Sequence, residues 1–271
     1  MSRVAAEAAR IRDRGIHSGT ETLLTLAAAE GPTTLGRGAD RAPLAALRFS
    51  GGDRGTDVEL PSGARLRTVE HLLAAIAGVG AFAGARVDLE GEEAPLCDGG
   101  ARTFAEALRS LARPVAPLVI ARAARFQVEE ATFQVEPLDG LRVTVEVSFP
   151  LARFGVPLEG VASWEGDPGD FLSRVAPART FGAARELEAL RARGLATYVP
   201  EGVVVALDRP ERAPRDPGEP IRHKLLDVLG DLATLGAPLV GAITVQRPSH
   251  RALHAALPRL RAALRDFSQP G

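Results

Sequence analysis

The chain has 271 residues, 45% hydrophobic and 25% charged, with 28 glycines and 20 prolines; that is enough for one large domain or two smaller ones and excludes a peptide or a low-complexity sequence. Thirty-three basic against 34 acidic residues leave a net charge of −1, so no cationic excess exists for nucleic acid. Cys97 is the only cysteine, and with no apolar leader and no uncharged stretch as long as a bilayer crossing, the expectation is a cytoplasmic protein without integral membrane association.

Taken in order, a strand is predicted near Thr20–Ala27, then a Gly/Arg-rich irregular stretch over Gly31–Gly63 and an apolar helix over Val69–Val79. A strand at Ala85–Leu89 and a loop at Pro95–Arg102 precede a helix at Thr103–Ala112, where Phe104, Leu108 and Leu111 recur at helical spacing ahead of Pro114. Arg113–Pro117 reads as a linker, giving predicted domains at 1–113 and 118–271. The alternating runs Arg125–Glu136 and Leu141–Phe149 flank Pro137–Gly140, a hairpin signal with Asp-Gly at the turn. A Pro/Gly-rich loop leads to a helix at Ala183–Arg193 stopped by Gly194, a short strand at Val203–Leu207 and a proline-rich loop at Arg209–Pro220. A long helix at Ile221–Leu235, a strand at Val240–Gln246 and a helix from about Arg251 to Arg265 close the chain.

The two halves carry a weak repeat. Leu72-Leu73, Gly80-Ala81 and Gly84–Val87 parallel Leu225-Leu226, Gly236-Ala237 and Gly241–Thr244, each a helix, a glycine stop and a strand. Two similar α/β units would set their helices face to face with a site between them.

Five histidines are present, at 17, 71, 223, 250 and 254, and Lys224 is the only lysine. His223, Asp227 and Asp231 are spaced by four, which puts them on one face of a helix whose other faces are apolar. A histidine and a carboxylate at i and i+4 can chelate one metal ion, and a metal is a usual remedy for a carboxylate drawn inward. His71, adjacent to Glu70 at the start of the first helix, completes a His2Asp set that leaves a fourth tetrahedral position open, as a catalytic zinc requires. Glu70, Lys224, Thr180 and His250 are candidates by type for the general base and for oxyanion or leaving-group donors.

Five ordered motifs bring up a family: Gly15-Ile16-His17-Ser18-Gly19, Thr68-Val69-Glu70-His71-Leu72-Leu73, Asp98-Gly99-Gly100-Ala101, Ala178-Arg179-Thr180-Phe181-Gly182 and Arg222-His223-Lys224-Leu225-Leu226-Asp227 continuing to Asp231. Together they resemble the UDP-3-O-acyl-N-acetylglucosamine deacetylases, zinc amidases of lipid A biosynthesis, over nearly the whole chain. The resemblance implies an α+β fold of two related two-layer α/β sandwich domains, each with a small insert and with the active site between them; the second insert, βαβ-like, falls near 184–207 and shapes an acyl-chain passage. It implies one catalytic Zn2+, with ferrous iron as the alternative occupant, on His71, His223 and Asp227. By the same resemblance Glu70 is the general base, His250 the cationic acid held by Asp231, and Lys224 and Thr180 contact the tetrahedral intermediate, while Phe181 and Arg247 bind substrate. The implied partner is a UDP-linked acylated amino sugar, handled by a monomer.

The chain departs from the family pattern in several places: it has no asparagine where the family tends to carry one, and the first insert, between Gly31 and Gly63, reads as short and irregular. Pro248-Ser249-His250 replaces Ser-Gly-His, which makes His254 a competitor for the role of His250; Ala196-Thr197-Tyr198 replaces a Gly-Gly segment in the second insert; and Arg247 stands where lysine is usual. A deacetylase for another N-acetylated sugar, or a sugar-nucleotide-binding paralogue without turnover, are the alternative functions.

Overall fold

The computed structural model describes residues 8–52, 54–150, 154–194, 196 and 198–266. Strands β1 (Ala9–Arg14), β2 (Glu21–Pro32), β3 (Thr34–Arg37) and β4 (Asp40–Pro43) join a later strand, β8, in a five-stranded sheet. Leu24 and Leu26 of β2 point inward while their neighbours are partly exposed, the period-2 alternation of a half-covered sheet. A separate small sheet follows, of β5 (Arg48–Gly51), β6 (Thr56–Glu59) and β7 (Arg65–Leu66). Helix α1 (Glu70–Gly78), strand β8 (Ala83–Glu90) and helix α2 (Arg102–Leu108) complete this half.

Past the exposed segment at Arg113–Ala116, β9 (Leu118–Ile120), β10 (Ala124–Val128), β11 (Ala131–Glu136), β12 (Leu141–Phe149) and β13 (Leu158–Trp164) enter a second sheet. A two-stranded parallel unit, β14 (Phe181–Gly182) and β15 (Val205–Ala206), is bridged by α3 (Ala184–Ala192). Then come α4 (Glu219–Ala233), β16 (Leu239–Gln246), α5 (His250–Ala263) and β17 (Leu264–Asp266).

The chain is thus mixed α/β, as expected. The first sheet runs β1-β2-β8-β3-β4 and the main path of the second β10-β11-β16-β12-β13. In both, the pairing sense along the row is antiparallel, antiparallel, parallel, antiparallel. The segments matched by sequence, α1 to β8 and α4 to β16, each end in the central strand of a sheet. One apolar core extends from Leu24, Leu26, Val87 and Leu89 through the helices to Val143, Val145, Ile243 and Val245; full burial of each such side chain is worth about 1.5–3 kcal/mol.

Three expectations are corrected. Gly31–Gly63 is not irregular: it holds β3 to β6, strands of four residues each whose glycines and arginines hide any alternation. The run Arg125–Glu136 is two strands, β10 and β11, turning at Glu129 in the left-handed region (φ 53°). Pro137–Gly140 therefore closes no hairpin, because β16 lies between β11 and β12 and pairs with both; the real hairpin has no Gly or Asn to announce it. Among the described residues no helix is long and apolar enough to cross a membrane.

Candidate active site and metal centre

Helices α1 and α4 cross so closely that a Cβ on Gly230 would lie 2.1 Å from the backbone oxygen of Glu70. The missing side chain lets the backbone of one helix ride on the other, and this brings the start of α1 against α4, along the face that carries His223 and Asp227. There His71 Nε2 lies 3.7 Å and His223 Nε2 3.4 Å from Asp227 Oδ1. The two rings stand edge to face, centroids 4.9 Å apart, and the three ligand-type atoms all fall within 4.8 Å of one another.

The His2Asp group fits a divalent ion of the zinc type. Ligand atoms about 2 Å from one tetrahedral ion stand roughly 3.3 Å apart, near the two carboxylate distances here. His223 Nδ1 is 2.9 Å from the carbonyl of Ala178, and donation there turns a bare Nε2 toward the group, the outer support expected of a ligating imidazole. Burial keeps His223 neutral by pushing its pKa down to about 4. Asp227 is held well below the usual carboxylate range: burial opposes this, but the Lys224 ammonium, His223 and His71 outweigh it. Burial also lowers the pKa of His71, yet the Asp227 carboxylate 3.7 Å away and the Glu70 charge carry it above the ordinary value; the proton so held lies where a cation would replace it.

Around this group stand the acid–base candidates. Glu70, 3% exposed, is raised in pKa by burial, and its Oε2 accepts the backbone N–H of Thr56 at 2.9 Å. A Cβ on Gly55 would meet Glu70 Oε1 at 2.6 Å, and Gly55 has φ 151°, so glycine makes room for the carboxylate. His250 opens α5 behind the Ser249 cap; its Nδ1 is 2.8 Å from Asp231 Oδ2 and its Nε2 3.9 Å from Asp227 Oδ2. Burial would lower the pKa of His250, but Asp231, Asp227 and Glu70 lift it to about 9, so it is a cation at neutral pH. Asp231 falls to about 2 because His250 and His254 outweigh its burial. His254 sits one helical turn on, behind Asp231 at 3.4 Å, and does not line the cavity.

The cavity, of about 560 Å3, is floored by Glu70, His71, His223, Lys224, Asp227 and His250. Lys224 Nζ is 2.6 Å from Asp227 Oδ2 and 5.6 Å from the centroid of the Phe181 ring. Thr180, also on the wall, is fixed by its backbone N–H to Gly99 at 2.7 Å. Its neighbour Arg179 forms a buried ion pair with Glu219 at 2.8 Å, at the start of α4, which ties the Ala178–Thr180 segment to the ligand-bearing helix. One arm of the cavity is apolar, lined by Ile16, Leu96, Leu187, Leu190 and Val204. Tyr198 packs against the same apolar cluster and donates its hydroxyl to the Gly15 carbonyl; Thr197, in the segment that departs from the family pattern, lies outside the described residues.

Arg247 leaves β16 with φ 54° and reaches Glu130 at 3.4 Å; it is not among the residues lining the cavity. Arg54 and His17 line it instead, with His17 held by the buried Glu93 at 2.9 Å. Arg54 and Thr56 carry no sequence signal, each being an isolated residue in a Gly/Arg-rich stretch. His17 lies in the first quoted motif, without an assigned task.

The profile of the UDP-3-O-acyl N-acetylglycosamine deacetylase family matches residues 3–262. The chain belongs to this family. It is 34% identical over 263 residues to the UDP-3-O-acyl-N-acetylglucosamine deacetylase of Synechocystis sp., covering 90% of this chain and 92% of that protein. The enzyme of the same name from Anaeromyxobacter dehalogenans is 35% identical over 253 residues, covering 87% and 79%, and that of Myxococcus xanthus 30% identical over 281, covering 93% and 83%. Family membership gives the His/Asp group its context: the deacetylases of this family are metalloenzymes, and this chain gathers a group able to hold an ion at the floor of its cavity.

Proposed function

We propose that this protein hydrolyses the 2-acetamido group of UDP-3-O-acyl-N-acetylglucosamine, releasing acetate and a free amine in lipid A biosynthesis. The observation that carries this reading is the meeting of three ligand-type atoms, a buried carboxylate of raised pKa and an imidazolium at one cavity floor.

His71, His223 and Asp227 would hold one zinc ion, ferrous iron being the other occupant such donors accept. When bound there the ion supplies Lewis acidity toward the acetyl carbonyl and makes water a better nucleophile. Glu70 accepts the proton of the attacking water at Oε1, the oxygen that Thr56 leaves unengaged; its burial raises its proton affinity for that task. Lys224 and the Thr180 hydroxyl donate to the acetyl oxygen as it gains charge. His250 adds its positive charge and then delivers the Nε2 proton to the departing amine, its ring fixed by Asp231 at Nδ1.

The apolar arm suits the 3-O-acyl chain, and Phe181 forms a flat wall beside the reacting carbon. Arg54, on the cavity lining, is better situated for the diphosphate than Arg247, which is engaged with Glu130. Residues 1–113 and 118–271 form the two domains in this reading, and the enzyme works as a cytoplasmic monomer. The test is acetate release from UDP-3-O-acyl-N-acetylglucosamine by the purified, zinc-loaded protein. Turnover that vanishes in Glu70→Ala is expected; no release from protein that holds one ion per chain would overturn the reading.

A further inference from the structure

Thr56, on β6 of the small three-stranded sheet, is fully buried and uses all its polar groups at the site. Its carbonyl accepts the N–H of Val69 at 2.9 Å, just ahead of α1. Its N–H goes to Glu70 Oε2 at 2.9 Å and its hydroxyl to Asp231 Oδ1. His254 Nε2 lies 2.9 Å from the same hydroxyl. Because that oxygen spends its hydrogen on Asp231, His254 must donate from Nε2, and its Nδ1, buried, has no partner among the described residues.

Leaving a buried nitrogen without a partner is costly. Donating from Nε2, His254 fixes the rotor of the Thr56 hydroxyl onto Asp231, that nitrogen also lying 3.4 Å from Asp231 Oδ1. Asp231 then has one oxygen for Thr56 and the other for His250, and cannot swing away from either. Glu70 hangs from the backbone of the same threonine.

We propose that Thr56, locked by His254, is the positioning residue that sets the acid–base pair of this enzyme in mutual register, with Glu70 on its N–H and His250 reached through Asp231 on its hydroxyl. The inference rests on the deacetylase reading for its kinetic part only. Thr56→Val keeps the shape and the backbone bonds and removes the hydroxyl. It should lower kcat by about 10- to 100-fold, the range of one buried hydrogen bond to a charged group. KM and bound zinc per chain should be unchanged, and Thr56→Ser should recover activity to within a few-fold of wild type. With only five histidines in the chain, the 15N imidazole spectrum gives an independent readout: in Thr56→Val the ring signals of His250 and His254 should move and that of His17 should not.

Wild-type kcat with unmoved His250 and His254 signals would overturn the proposal. So would a loss of activity that comes with loss of zinc or that serine fails to rescue, since Thr56 would then only hold the fold. If the wild type releases no acetate, the functional reading fails, and the imidazole spectrum alone decides: moved signals support the linkage and unmoved signals reject it. Should Thr56→Val not fold, His254→Phe carries the test, since it keeps an aromatic ring at that position and removes the Nε2 donor. A several-fold fall in kcat at constant KM, with a moved His250 signal, is expected; no change in either overturns it.

Discussion

The floor of the cavity and its apolar arm are built on opposite principles. On the floor, Glu70, His223, Asp227 and Asp231 are buried charged or polar groups, each held by a named partner at a set distance. The arm is made of Ile16, Leu96, Leu187, Leu190 and Val204, several of them only partly buried and all with side chains that make no directional bond. Directional contacts in a low dielectric fix geometry and proton affinity but allow little substitution. Apolar contacts fix only volume and can be exchanged. The difference separates chemistry from selectivity: a change on the floor should stop the reaction, and a change in the arm should alter which substrate is used.

The sharpest break of that contrast is His71→Ala. With two ligands left the ion should be lost and acetate release with it, as metal content after gel filtration will show; full retention would remove His71 from the ligand set. Next in size, His250→Ala should retain the ion but lower kcat by roughly 10²–10⁴, the usual contribution of a general acid. If His254→Ala produces that loss instead, the role of His250 passes to its neighbour one turn on. In the arm, Leu187→Ala should raise KM for a long-chain substrate by about 10-fold while a short-chain analogue is turned over as before, in line with the modest discrimination a few methylenes provide. Equal effects on both substrates would mean that the arm does not receive the chain.

The smallest effect is one of pH. Glu93 is buried and holds His17, which lines the cavity. Its burial would raise its pKa, but hydrogen bonds from His17 and Ser18 bring it down to about 2. The folded state therefore favours the ionised form, and the stabilisation is complete above pH 4.5, lost as the pH falls from there toward 2. The thermal midpoint of the wild type should drop through that window more steeply than that of Glu93→Gln, and parallel curves would exclude the contribution.

Much of this contrast was legible before any coordinates. The long helices were visible because His223, Asp227 and Asp231 share one spacing and Leu225, Leu226, Leu229 and Leu232 another, and helical periodicity survives in a single sequence. His71 and Glu70 were found as an adjacent pair at the start of the first helix, and the ordered motifs then gave them roles. What stayed hidden depends on contacts between distant segments. Nothing in Arg54-Gly55-Thr56 says that a short strand will run under the start of α1. Nor does Pro137–Gly140 reveal that β16, far along the chain, will part β11 from β12. The βα3β unit was visible as a helix and one strand, yet β14 is only two residues long, below any pattern length. Arg247 shows the converse: its place in the sequence suggested the site, and its side chain went to Glu130.

Lys224 gives the molecule a property of a different kind. It carries the only side-chain amine in the chain, and that amine stands in the cavity against Asp227, with its side chain 17% exposed. Amine-directed reagents, which scatter over the surface of ordinary proteins, have a single side-chain target here. The extent of labelling at that position becomes a direct footprint of whatever occupies the cavity, and no other lysine competes with it.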